Sequence, residues 1–255
     1  MNNIFDSHAH YDDEAFSLDR DEVLSSLPKK GVTGVISCGI NLLSSYKTLK
    51  LANEYDFVYA ALGIHPEDAR EERSDDLDAI VRFLRTEKKA IAVGEIGLDY
   101  YYEDAAPRET QIDLFERQLE LAKELDLPVI VHNREAHEDT LNILKKYRPQ
   151  GVLHCFSGSV EMAREVVKLG MYIGMGGVVT FKNARKAVDV VADIPIEKLL
   201  LETDCPYLAP VPYRGKRNDS SLILFIAERI GEIRGIKGQE VADITCQNTK
   251  ELFRL

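Results

Sequence analysis

Short apolar, β-branched runs recur along the chain with room for a helix between them, at residues 2–5, 32–39, 57–65, 90–99, 128–133, 151–158, 171–180 and 199–206. Each has the length of a buried strand and ends in Gly, Pro, His or acidic residues, the pattern of strands covered on both faces. Between them lie stretches with helical spacing. In 108–127, Ile112, Phe115, Leu119 and Ala122 fall at i, i+3, i+7 and i+10, so one apolar stripe stands opposite a charged face. Weaker patterns of this kind occupy 41–55, 75–87, 138–148, 160–169, 183–192 and 221–234, and 238–254 reads as a last amphipathic helix.

Strands alternating with helices predict βαβ units and a parallel sheet. Eight such units in 255 residues favour a closed (β/α)8 TIM barrel, with an extra C-terminal helix, over an open doubly wound sheet. No linker, low-complexity tract or charge block divides the chain, so residues 1–255 are expected to form a single domain.

Ionisable residues interrupt the apolar runs in a telling place. The first run leads into His8 and His10, the fourth carries Glu95, the fifth ends in His132, the sixth includes His154 and the eighth ends in Asp204. In an extended strand, residues i and i+2 share a face, so His8 and His10 aim at one point. A barrel gathers the C-terminal ends of its strands at one mouth, where its active sites lie. Four imidazoles and two carboxylates gathered there call for metal.

The ligand count suggests two divalent ions, and His with carboxylate suits Zn, Mn or Fe. Glu95 can bridge; His8, His10 and Asp204 would complete one shell, and His132 and His154 the other. Two ions about 3.5–4 Å apart are the arrangement that hydrolyses phosphate esters and amides. Asp204 has a second candidate role, accepting a proton from a water that the metal polarises. Glu202, two residues deeper on the same face, either orients a ligating imidazole from behind or is a satisfied core acid.

Composition narrows the setting. The N-terminus lacks the basic and apolar segments of an export signal, and no run reaches the ~18 apolar residues of a membrane span, so a cytoplasmic protein without membrane association is expected. Cys38, Cys155, Cys205 and Cys246 lie far apart with no C-x-x-C pair, which predicts reduced thiols and no zinc knuckle or disulfide framework. A net charge of -11, from 32 basic and 43 acidic residues, argues against a surface that coats nucleic acid, while leaving room for a local basic patch.

Seven segments together, DSHAHYDD at the start, GIHP (63–66), GEIGLDYYY (94–102), PVIVHNR (128–134), HCFSG (154–158), LLLETDCPYLAPVPYRGKRN (199–218) and NTKELF (248–253), resemble the TatD family of metal-dependent deoxyribonucleases, in the family's order from residue 6 to the end. The resemblance implies an amidohydrolase-type TIM barrel with a two-metal centre, hydrolysing DNA phosphodiester bonds as a 3' to 5' exonuclease with added Mg or Mn. Carried over motif by motif, its ligands fall on His8, His10, Glu95, His132, His154 and Asp204, the set already reached from the strand ends. The chain departs from the family at Tyr213, where His is common, and after Asn218, where Asp219, Ser220 and Ser221 stand and the family usually continues with an acidic residue and proline.

DNA as substrate requires phosphate contacts on an acidic protein. Arg214, Lys216 and Arg217 follow the eighth strand, with Gly215 allowing close backbone approach, and read as a phosphate-holding loop or as a solvated one. Arg134 is open to phosphate contact or a structural salt bridge, and His65 to lining the pocket as a phosphate donor. The tyrosines of the loop 99–107 can stack on unpaired bases or pack beneath the loop. GMGG (174–177) lacks the strand-to-helix context of a nucleotide fingerprint. Two other functions fit the same residues: a metal-dependent amide or ester hydrolase such as a D-aminoacyl-tRNA deacylase, and a non-catalytic metal-binding partner protein. No obligate protein partner is expected.

Overall fold

The computed structural model describes residues 1–70, 74–102 and 104–255. Its strands are β1 (Ile4–Ala9), β2 (Val32–Cys38), β3 (Val58–Leu62), β4 (Ala90–Asp99), β5 (Val129–Arg134), β6 (Gly151–Leu153), β7 (Tyr172–Met175) and β8 (Leu199–Leu201). They form one parallel sheet in the order β1 to β8. Helices α1 (Arg20–Ser26), α2 (Leu42–Glu54), α3 (Ser74–Thr86), α4 (Arg108–Leu125), α5 (His137–Tyr147), α6 (Val160–Lys168), α7 (Arg185–Asp193) and α8 (Ile223–Arg234) alternate with the strands, and α9 (Gly238–Phe253) follows. The expected (β/α)8 architecture with an added C-terminal helix is present. The short α1 has no counterpart among the helices expected from periodicity, because only Leu24 of its seven residues is buried.

The buried apolar residues fall into two clusters. One lies between the strands and the helices and includes Val93, Val131, Phe115 and Leu119. The other includes Phe5, Ile36, Ile130, Val152 and Leu200 together with Cys246, Leu252 and Phe253 of α9. Two residues beyond Ile130, Val152 and Leu200 stand His132, His154 and Glu202. Side-chain alternation therefore sets a polar layer above an apolar one on the same face of each strand. The last helix packs against β1 and β8, and Asn248 Nδ2 donates to the carbonyls of Ile196 and Leu199 at 2.8 and 2.9 Å.

The sheet closes beyond the end of β8. Ala9 pairs with Cys205, the His10 amide donates to the Cys205 carbonyl at 2.8 Å and the Asp204 amide to the His8 carbonyl at 3.0 Å. Asp6, fully buried at this seam, accepts from the Thr203 amide (3.0 Å), the Thr203 hydroxyl (2.6 Å), the Ser220 hydroxyl (2.6 Å) and the His8 amide (3.3 Å). Burial raises the Asp6 pKa to about 6, against the lowering effect of these donors. Ser220 thus serves closure of the barrel, and Ser220 Oγ also contacts the Tyr11 hydroxyl at 2.8 Å. Asp204 stands past the strand in the left-handed region at φ 57°.

Candidate metal centre

Glu95 lies in β4, where the ladder with β5 shifts register between Val93 and Ile96. Two residues on, Gly97 sits at φ 144°, and a Cβ there would stand 2.0 Å from the His132 carbonyl oxygen. Only glycine allows the two strands to approach this closely. At Gly174, likewise, a Cβ would meet Glu202 Oε2 at 2.3 Å, so the glycine leaves room for that carboxyl behind His154.

The six residues expected at the strand ends converge. His8 Nε2 and His10 Nε2 are 3.0 Å apart. Glu95 Oε2 stands 3.3 and 3.4 Å from them, and Asp204 Oδ1 3.5 and 3.3 Å. The other oxygen of Glu95 faces a second group: Oε1 lies 2.9 Å from His132 Nδ1 and 2.8 Å from His154 Nε2, and those two nitrogens are 3.3 Å apart. Glu95, His8 and His154 are buried.

Hydrogen bonds on the far side of two rings decide which nitrogen faces inward. His10 Nδ1 lies 3.1 Å from the Cys38 carbonyl oxygen; a carbonyl only accepts, so Nδ1 carries the proton and Nε2 turns a lone pair inward. His132 Nε2 lies 3.0 Å from Asp99 Oδ2, which leaves Nδ1 as the bare nitrogen toward Glu95. Bare imidazole nitrogens packed against carboxylate oxygens repel unless a cation lies among them, and the donor set therefore fits divalent metal. His8 Nδ1 is 3.4 Å from Cys38 Sγ.

Where no cation is bound, protons on the rings take its place between these groups. Burial opposes ionisation of Glu95, but the imidazoles of His154, His8 and His65 outweigh it and hold its carboxyl well below the usual range. Burial likewise opposes ionisation of Asp204, and hydrogen bonds from His10 and His8 pull its pKa down. His132 rises to about 9, burial being overcome by Asp99 and Glu95, whereas burial and the neighbouring His8 lower His154 to about 4. Burial raises Glu202 to about 8, opposed by His8. Glu202 Oε1 accepts the Cys155 amide at 2.5 Å and stands 3.9 Å from His154 Nδ1. The Oε2 atom of Glu202 and His154 Nδ1 are buried without a hydrogen-bond partner.

Asp99 is absent from the site residues expected from the sequence, although it is the last residue of the run 90–99. Its signal is the spacing of Glu95, Gly97 and Asp99 at i, i+2 and i+4 on one strand, the same-face rule that links His8 with His10. Asp99 is fully buried, and Gln111 of α4 holds its backbone from both sides, accepting its amide at 2.9 Å and donating to its carbonyl at 2.8 Å. His65 also joins the centre, with Nε2 3.5 Å from Glu95 Oε1. Because His65 Nδ1 accepts the Glu67 amide at 3.2 Å, Nε2 carries the proton in the neutral ring, making His65 a donor toward Glu95 and the cavity.

A cavity of about 570 Å³ opens over the centre, with His10, Glu95, His132, His154 and Asp204 on its floor. Of the expected substrate cations, Arg134 lines it; Arg214, Lys216 and Arg217 are not among its lining residues. Arg217 forms a two-pronged ion pair with Asp19 at 2.7 and 2.6 Å, Arg214 lies over Phe181 at 4.4 Å, and Lys216 over Tyr213 at 5.9 Å. Tyr213 itself packs on Phe225 with ring centres 5.3 Å apart. The loop after β8 is thus tied down by Asp19 and by aromatic faces. In the loop after β4, Tyr102 lines the cavity, and Tyr100 donates to Asp139 Oδ2 at 2.9 Å; Glu103 of this loop lies outside the described residues. His137 contacts Asn133 Nδ2 at 2.7 Å. Among the described residues, no helix is long and apolar enough to cross a membrane.

Comparison with known proteins gives a consistent result. The family model described as TatD related DNase matches residues 5–254. The chain is 43% identical to the uncharacterized metal-dependent hydrolase YabD of Bacillus subtilis, over 99% of each chain. It is 36% identical to the 3'-5' ssDNA/RNA exonuclease TatD of Citrobacter koseri, over 98% of each. The crystal structure of YjjV, a TatD homolog from Escherichia coli, superimposes with a TM-score of 0.93 at 36% identity, covering 99% of this chain and 98% of the other.

Proposed function

The chain belongs to the TatD-related DNase family of metal-dependent hydrolases, and from that membership we propose that it removes nucleotides from the 3' ends of single-stranded DNA by hydrolysing phosphodiester bonds. The observation that carries this reading is the division of Glu95 between two donor groups, Oε2 toward His8 and His10 and Oε1 toward His132 and His154. A carboxylate so divided could serve two ions at once, the arrangement of two-metal centres that act on phosphate esters and amides, and the family membership favours the ester. The direction of cleavage and the single-stranded substrate follow the name of the Citrobacter relative.

His8, His10 and Asp204 with Glu95 Oε2 would hold one ion, and His132 and His154 with Glu95 Oε1 the other. Two bound divalent ions would lower the pKa of water and offset charge developing on the phosphoryl oxygens. The Cys38 carbonyl and Asp99 keep the rings of His10 and His132 in the tautomer and orientation this requires. Asp204, ionised and on the cavity floor, takes up the proton released from the attacking water on a carboxylate oxygen. His65 offers its Nε2 proton to an oxygen of the substrate.

The test is degradation of a 5'-labelled single-stranded oligonucleotide by metal-stripped protein, with Mg, Mn or Zn restored, beside Glu95→Ala. A descending ladder that needs both metal and Glu95 supports the reading. Turnover retained by a folded, metal-depleted Glu95→Ala protein overturns it. Absence of cleavage with two ions bound also overturns it and moves the search to amides and esters such as aminoacyl-tRNA.

A further inference from the structure

In an eight-stranded ring the junction of β4 and β5 lies across the barrel from the junction of β8 and β1. The cavity walls above these junctions differ in chemistry. Over β4 and β5 the wall carries Arg134 and Tyr102, with Tyr101 beside Arg134 at its rim: the Arg134 guanidinium lies 3.7 Å from the centre of the Tyr101 ring and 5.0 Å from that of Tyr102. Arg134 Nη1 donates to the Tyr102 hydroxyl at 3.2 Å. Tyr101 and Tyr102 are 55% and 43% exposed, enough free ring to meet a base. Over β8 and β1 stand Asp12, Asp13 and Tyr207, whose hydroxyl donates to Asp13 Oδ2 at 2.8 Å. Among the described residues, Arg134 is the one lysine or arginine on the cavity wall.

We propose that Arg134, Tyr101 and Tyr102 form the subsite for the nucleotide next to the scissile bond, so that the strand crosses the mouth over β4 and β5 only. This rests on the nuclease reading above. Arg134 is positioned by aromatic faces and a phenol, which leaves guanidinium donors for a phosphate. The exposed tyrosine rings supply a stacking surface that any unpaired base can use. A backbone continuing across the opposite wall would set its phosphates against Asp12 and Asp13 with no cation to meet them, and like charges there oppose binding. The site accordingly accepts the end of a single strand and excludes its interior.

The experiment compares metal-loaded wild type, Arg134→Ala, Arg134→Lys and the double variant Tyr101→Ala, Tyr102→Ala on a linear single-stranded oligonucleotide and on the same sequence closed into a circle. KM is followed against salt. Wild type is expected to cleave the linear strand and leave the circle intact. Arg134→Ala should raise KM about tenfold with kcat little changed, the effect of one charge-assisted contact. Its plot of log KM against log salt should be shallower by about 0.7, the single-strand value for one phosphate contact. Arg134→Lys should keep that slope, and the tyrosine variant should raise KM without altering it. An unchanged KM in Arg134→Ala overturns the proposal and leaves the nuclease reading intact, whereas cleavage of the circle at the linear rate overturns the proposal together with the 3'-end specificity of that reading. Failure of wild type to cleave the linear strand overturns both.

Discussion

Asp99 Oδ2 lies 3.0 Å from His132 Nε2, and this contact selects which nitrogen His132 turns toward Glu95. Replacing Asp99 by Ala frees the ring to rotate and to exchange tautomers. The expected result is a 10- to 100-fold loss of affinity for the ion that His132 and His154 would hold, in the range for removal of a partner behind a ligating histidine. Metal titration followed by calorimetry checks it, and unchanged affinity would contradict the assigned orientation.

Glu95 serves both donor groups, so Glu95→Ala should affect both ions at once. Activity is expected to fall by more than about 100-fold, beyond the usual effect of an outer-shell change, and bound metal per chain should drop. Circular dichroism should still report a folded barrel, because the carboxylate sits above the apolar layer of Ile130, Val152 and Leu200.

Metal removal should lower thermal stability without unfolding the chain. A ligand at 100 times its Kd stabilises the folded state by about 2.7 kcal/mol, and for a chain of this size each kcal/mol moves Tm by about 2–4 °C. Chelation is therefore expected to lower Tm by about 5–10 °C, and restored metal to reverse the change; scanning calorimetry with and without chelator decides.

At the seam, Asp6→Ala leaves the buried donors of Thr203 and Ser220 without their acceptor. Each unsatisfied group costs about 1–3 kcal/mol, so a loss of about 3–5 kcal/mol is expected in urea unfolding. Ser220→Ala removes one hydroxyl and should cost less. Equal losses in the two variants would show that Asp6 does not organise the seam.

The ion pair of Asp19 and Arg217 predicts a pH effect. The Arg217 hydrogen bond lowers the Asp19 pKa from its ordinary 3.8. A depressed carboxyl contributes stability that is complete above that ordinary value and is lost as pH falls through the lower folded value. Asp19→Asn should therefore leave Tm unchanged relative to wild type in strong acid and lower it slightly near neutrality. The gap between the two melting curves should open as pH rises toward about 4 from strong acid and stay constant above that, and a gap independent of pH would rule the contribution out.

Local alternation was sufficient to read much of this protein from its sequence. Side-chain period dictates that His8 and His10 share a face, that His132 follows Ile130 inward and His154 follows Val152, and that repeated strand and helix patterns close into a barrel whose strand ends meet. These are consequences of backbone geometry within a few residues, so they survive without knowledge of distant partners. The same spacing would have found Asp99. What the sequence could not specify depends on groups that only closure brings together. The proton of His10 is assigned by the carbonyl of Cys38, that of His132 by Asp99, and that of His65 by the amide of Glu67. Arg217 is claimed by Asp19 some 198 residues away in sequence, while Arg134 is left facing the cavity by its aromatic supports. A charged side chain's role is set by which partner lies within hydrogen-bonding distance, and for these residues that partner is supplied by the tertiary fold.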